Sequence, residues 1–167
     1  MNTPIPRGLP GSYALLLQLS SPTSVIIGSL GNFLLHPGFY IYTGSACGPG
    51  GLYARVSRHL HDPQKLHWHI DYLRQVATPL EIWLAPGGVN EEHAWTGALA
   101  TFPQSSLPIP GFGASDCRCP AHLVFFPARP HLEDLLQQLS RSALPISSIQ
   151  RCLPEDFMAG DQADHYS

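Results

Sequence analysis

The order of apolar and polar positions divides the chain into short segments of two different periods. Tyr13–Leu19 (YALLLQL) is almost continuously apolar, the mark of a strand that is covered on both faces or central in its sheet. Ser24–Gly28 (SVIIG) predicts a shorter strand, Gly31-Asn32 a turn, and Phe33–Leu35 the returning arm of a hairpin. Beyond the turn at Pro37-Gly38, Phe39–Thr43 alternates aromatic and aliphatic residues and predicts another strand. Gly44–Gly51 then holds four glycines and a proline in eight positions, which breaks regular structure and permits positive φ. Leu52, Val56 and Leu60 recur at helical spacing. Arg55 and His59 stand one turn apart beside that stripe.

Asp62-Pro63 ends this helix, because proline disfavours helical geometry in the residue before it. Trp68, Tyr72 and Leu73 or Val76 predict a second helix over Leu66–Val76. Leu80–Leu84 (LEIWL) reads as a strand stopped by Pro-Gly-Gly. Asn90 then caps a third helix that turns Trp95, Ala98, Leu99 and Phe102 inward. Residues 103–120 are irregular, and Leu123–Phe126 is a last strand. His131–Leu139 predicts a short amphipathic helix outside the main body, followed by an acidic, apolar-poor and disordered tail over 154–167. The expected division is a flexible lead-in over 1–10, one domain over 11–128, and a helix with an acidic tail over 129–167. Mixed strands and helices with hairpin neighbours predict an α+β fold: a small, mostly antiparallel central sheet flanked by helices.

Composition narrows the functions open to such a fold. The 167 residues, 44% hydrophobic, suffice for a real core. No apolar run approaches the ~20 residues that cross a bilayer, and the first residues lack the apolar core of an export signal. The four cysteines are unevenly spaced and do not form a secreted disulfide framework, so a cytoplasmic protein without membrane contact is expected. Net charge is −3, unevenly spread. Residues 1–131 hold seven Lys+Arg against six Asp+Glu, and residues 132–167 hold two against six. A nearly neutral body excludes a protein that coats nucleic acid by charge alone. It leaves room for an enzyme that grips a few phosphates.

The candidate chemistry clusters around the glycine-rich turn. A tyrosine-bearing strand end, a bare loop and a helix carrying a cation and an imidazole suit a phosphodiester. Arg55 presents a planar fork that never loses its charge. A free tyrosine titrates near 10, so Tyr13 or Tyr42 acts as a base only beside a cation or metal. Gly48–Gly51 precede a helix, where unpaired N–H groups bind phosphate unless the segment is simply a tight turn. Without a Lys-Ser/Thr ending it is not an ATP-type loop. On a helix His67 and Asp71 share a face and His69 points away, which suits pairing or lining of a cleft rather than a zinc site. Cys117, Cys119 and His122, beside Asp116, supply at most three zinc ligands. A fourth would come from Cys47, Cys152 or another histidine, and zinc is not expected.

Gly11-Ser12-Tyr13 and Tyr42-Thr43-Gly44 resemble the paired tripeptides of the GIY-YIG nuclease superfamily, and Arg55 matches that family's helix arginine. The strings GSACGPGGL, HWHIDYL and GFGASDCRCPAHL are similar to one branch of it, an uncharacterised domain found alone or fused to an endonuclease III-type DNA glycosylase. The likeness covers residues 11–128. It implies three layers around an antiparallel sheet and metal-dependent hydrolysis of phosphodiester bonds in DNA. One divalent cation, usually Mg²⁺, would sit on a glutamate of the third helix: Glu92, with Glu91 as the alternative. The implied catalytic residues are Tyr13, Tyr42, Arg55 and His59. The candidate substrate contacts are Gly44, Ser45, Gly50, Gly51, His67, His69, Asp116 and Arg118. A DNA-repair protein is an expected partner. The alternative function is a non-catalytic nucleic-acid-binding or adaptor module. The chain departs from the pattern at Ser12 and Thr43, where aliphatic residues are usual, at Cys47, where a basic one is usual, and in a long insertion over about 20–37.

Overall fold

The computed structural model describes residues 5–62, 65–88, 90–142 and 147–158. The long strands are β1 (Gly11–Leu19), β4 (Gly38–Ala46) and β5 (Thr78–Pro86), and the short ones β6 (Leu123–Phe126) and β7 (Gln150–Cys152). They form one sheet in the order β6-β4-β1-β5-β7, with every pairing antiparallel. β2 (Thr23–Ile27) and β3 (Gly31–Leu35) make the expected separate hairpin within the insertion.

β1 is central, which accounts for its apolar run, since alternate residues feed two different cores. Leu15, Leu17 and Leu19 pack against α1 (Gly51–Leu60), α2 (His69–Arg74) and the β2–β3 hairpin. Ala14 and Leu16 join Trp83, Ile41 and the inner faces of α3 (Glu92–Leu99) and α4 (Leu132–Ser140). Each fully buried leucine contributes about 1.5–3 kcal/mol relative to an exposed one. The fold is therefore three layers, α+β, with an antiparallel sheet between helices.

Five local expectations change. α2 is shorter than Leu66–Val76, because Asp71 accepts the N–H groups of His67 (2.9 Å) and Trp68 (2.8 Å) and ties the preceding chain into a cap. α3 is not capped by Asn90, whose φ is +58°; the Ser12 hydroxyl accepts the N–H of Glu91 at 2.9 Å instead. α4 does not lie outside the body, since Leu132, Leu135 and Leu139 are buried in the second core. The segment expected to be tail adds a strand: β7 pairs with β5, and the following turn, Pro154–Phe157, buries Phe157. Isolated apolar anchors such as Cys152 and Phe157 leave no periodic signal. Arg151 spans β7 and β5 by ion-pairing Glu81 at 2.8 Å, and Arg129 meets the same carboxylate at 3.1 Å. The lead-in is docked rather than loose from Ile5 onward: the N–H of Leu52 donates to Leu9 C=O at 2.9 Å and Arg7 covers Tyr53. Residues 1–4 and 159–167 lie outside the described residues.

Candidate functional site

The register of β1 with β4 sets Tyr13 directly opposite Gly44. A Cβ on Gly44 would lie 2.4 Å from the Tyr13 hydroxyl, so only glycine lets the tyrosine ring cross the strand there. Tyr13 and Tyr42 face the α1 side with ring centroids 6.2 Å apart. Their neighbours Ser12 and Thr43 point to the other face and hold α3. Ser12 Oγ donates to Gly88 C=O at 2.6 Å while accepting from Glu91 N–H, and Thr43 Oγ1 meets Thr96 Oγ1 at 2.6 Å. The strand end thus presents two phenols on one side and anchors the acid-bearing helix on the other.

A cleft of about 460 Å³ opens over this end, and Tyr13, Tyr42, Arg55 and Glu92 all line it, with Ser45, Asp116 and Gly44. Glu92 is buried, with Oε2 3.4 Å from Ser12 Oγ and Oε1 3.2 Å from His93 Nε2. Glu91 turns away and accepts from the Ser147 hydroxyl at 2.6 Å, so of the two adjacent acids Glu92 is the one in the cleft. His59 lies behind the tyrosines, its Nε2 2.8 Å from the Tyr13 hydroxyl and its buried Nδ1 without a hydrogen-bond partner. An adjoining cleft of about 300 Å³ shares Tyr42, Arg55 and Asp116 and adds His59, His67, Trp68 and His69.

Burial dominates the electrostatics. It raises Tyr13 well above the ordinary phenol value, helped by Tyr42 and opposed by Arg55. Burial raises Tyr42 to about 12, against its hydrogen bond with Tyr13 and the charge of Arg55. Burial and then Arg55 depress His59 to about 3, against the pull of Asp71. Both phenols are therefore protonated and the imidazole neutral at physiological pH.

Trp68, read from sequence as a helix-core residue, packs half-buried against the first core and serves at the same time as a platform. The Arg55 guanidinium lies 4.6 Å and that of Arg58 3.8 Å from its ring centroid, a cation–π arrangement that steers Arg55. His67 and Asp71 do not pair side chain to side chain; Asp71 caps α2 and lies 3.9 Å from Arg58. His69 Nδ1 accepts the N–H of Gly113 at 2.8 Å and so secures the loop beside the cleft. Gly48–Gly51 is a tight turn. Gly51 N–H bonds Gly48 C=O and Leu52 N–H bonds Leu9 C=O, so the amide that Gly51 was expected to offer a phosphate is taken by the chain itself. Arg118 is exposed and lines neither cleft.

Beside Glu92 lies a second constellation, of which sequence spacing showed Cys117, Cys119 and His122 but not His93. His93, Cys117, Cys119 and His122 each offer one ligand atom, all within 4.8 Å of one another, a geometry able to hold a metal ion. Of the fourth donors that the sequence leaves open, Cys47, Cys152 or another histidine, the one that stands with the three in space is His93 of α3. Twenty-four residues separate it from Cys117 in the chain, so no local motif marks it. Two imidazoles and two thiols are a soft donor set that suits zinc rather than Mg²⁺. All four cysteines are free thiols. Burial, with His93 next, depresses His122, and burial with Cys117 raises Cys119.

A family model described as Domain of unknown function DUF123 matches residues 12–144. No curated protein and no solved structure matches the chain. Among the described residues no helix is long and apolar enough to cross a membrane.

Proposed function

The chain belongs to the DUF123 family, and from its cleft we propose that it is a metal-dependent nuclease hydrolysing phosphodiester bonds in DNA. One observation carries the proposal: Tyr13, Tyr42, Arg55 and Glu92, spread over 79 positions of sequence, share one cleft with a neutral histidine behind it. The cleft also tests the implied cation. Beside the sulfur and imidazole donors of Cys117, His93 and His122 on one wall, it offers the Glu92 carboxylate with tyrosine and serine hydroxyls, oxygen donors that fit Mg²⁺, which takes few protein ligands and retains waters. Glu92 would hold it, and when bound it would supply charge stabilisation to the phosphoryl oxygens.

The remaining roles belong to the chain's own groups. Arg55, backed by Trp68, presents its fork to the non-bridging oxygens of the scissile phosphate. Tyr42, protonated at working pH, donates a hydrogen bond to a phosphate oxygen. Tyr13 relays a proton: its hydroxyl takes the proton of the attacking water as its own passes to His59 Nε2 over 2.8 Å, with the ring carrying its other hydrogen on Nδ1. Burial first, and Arg55 next, make a protonated His59 costly. The negative charge of the bound phosphate offsets that cost, so the relay operates only when substrate is present. The soluble compartment of this reading is the cytoplasm, with a DNA-repair protein as partner.

The test is nicking of supercoiled, branched and single-stranded DNA by the full chain with Mg²⁺. Wild type should cut, and Arg55→Ala and Glu92→Gln should each lose about 100-fold or more in rate with unchanged circular dichroism. Wild-type protein that binds nucleic acid but cuts neither DNA nor RNA overturns the enzyme and leaves the non-catalytic binding module.

A further inference from the structure

We propose that His93 Nδ1, Cys117 Sγ, Cys119 Sγ and His122 Nε2 hold a structural zinc ion that fastens the 111–122 loop to α3. The inference stands apart from the nuclease reading: its four ligand atoms belong to other residues, and the two meet only at the Glu92 carboxylate, which His93 Nε2 faces.

The atoms nearest one another are sulfur and nitrogen. His93 Nδ1 lies 2.9 Å from Cys119 Sγ, and His122 Nε2 lies 3.1 Å from Cys117 Sγ. Zinc bonds of about 2.3 Å to sulfur and 2.0–2.1 Å to nitrogen put the edges of a tetrahedron at roughly 3.3–3.8 Å. Four ligand atoms within 4.8 Å of one another are on that scale.

The stronger argument is what the far side of each imidazole does. His122 turns Nε2 to sulfur and Nδ1 to two hydroxyls, Thr43 Oγ1 and Thr96 Oγ1, each at 3.2 Å. His93 turns Nδ1 to sulfur and Nε2 to the Glu92 carboxylate at 3.2 Å. A zinc-bound histidine characteristically presents its other ring nitrogen to an oxygen that fixes tautomer and orientation. Both rings here do so, with their centroids 5.2 Å apart.

Four protein ligands complete the tetrahedron and leave no open position, which makes the ion structural rather than catalytic. Binding displaces both thiol protons to solvent, and the centre of one Zn²⁺, two thiolates and two neutral imidazoles carries no net charge. Its location gives it a task. Gly113, Asp116 and Cys117 line the main cleft, and the ion would join the tip of their loop to the helix that carries Glu92. Cys152 is buried in the other core, so it is not needed as a ligand.

The test is elemental analysis of full-length protein purified without chelators or an affinity tag for metals. Wild type should carry about one zinc per chain. Cys119→Ser and His93→Ala should each lose most of it, while Cys152→Ser retains it. Cobalt exchanged into chelated wild type should give thiolate-to-cobalt charge-transfer bands and the intense visible bands of tetrahedral cobalt. Folded wild type with less than about a tenth of an equivalent and no cobalt–thiolate bands overturns the proposal. So does zinc that persists in a Cys117→Ser/Cys119→Ser double variant, since it would then sit elsewhere. Neither readout depends on DNA cleavage.

Discussion

Replacing His59 by glutamine converts one buried ring into a measurable acid response. The imidazole is 2% exposed, and burial with the Arg55 charge holds it near 3 against an ordinary 6.5. Above pH 6.5 the ring is neutral in both the folded and unfolded chain and adds no pH dependence. As pH falls below 6.5 the unfolded chain binds a proton that the folded one refuses until about 3. Stability therefore drops through that window and levels off below it. Each pH unit is worth about 1.4 kcal/mol, so the two units from 6.5 to 4.5 cost the wild type about 2.7 kcal/mol through this group alone. Urea unfolding at pH 7.5 and 4.5 measures it. The wild type should lose roughly 2–3 kcal/mol more than His59→Gln between the two conditions, since the other titrating groups are common to both. Equal losses would mean that His59 titrates normally. Charging the ring would then carry no such cost, and the dependence of the relay on bound substrate would fall with that result.

Two further substitutions probe the strand end. Gly44→Ala sets a methyl 2.4 Å from the Tyr13 hydroxyl, so the buried ring must move; a loss of about 1–3 kcal/mol in urea and loss of nicking are expected, and wild-type rates would remove the close approach from the argument. Ser12→Ala strands the N–H of Glu91 and the carbonyl of Gly88 that its hydroxyl joins, which should cost about 1–3 kcal/mol by denaturation, and a loss under about 0.5 kcal/mol would show that α3 is held by other contacts.

The layered fold was legible because its strands and two of its helices carry strong periods. β1 declared its central place by an apolar run that only two covering layers satisfy, and Leu52, Val56 and Leu60 marked the inner face of α1. What escaped was built from single residues. Phe157 anchors the last turn alone, and Asp71 shortens α2 through backbone bonds that no side-chain pattern reports. Tyr42, Arg55 and His59 stood out as one strand–turn–helix unit, but that Tyr13 and Glu92 join them was visible only through resemblance, because nothing in the spacing says that they meet. The departures from that resemblance were informative in a way spacing was not. Ser12 and Thr43 replace aliphatic residues with hydroxyls, and the structure uses both: one caps the start of α3 and the other supports His122. His93 gave no signal at all, since its partners come from a loop far along the chain.

The family likeness stops at residue 144, whereas β7 begins at Gln150. Those three residues are the sheet's guard on that flank, a stub too brief and too charged to recruit a neighbour, clipped in place by Arg151. A fragment trimmed to the shared region would bare Ile82, Trp83 and Leu84, the positions of β5 that β7 pairs, as an open template for its own kind. The least family-like segment of the chain is thus what keeps its family-like part from sticking to itself.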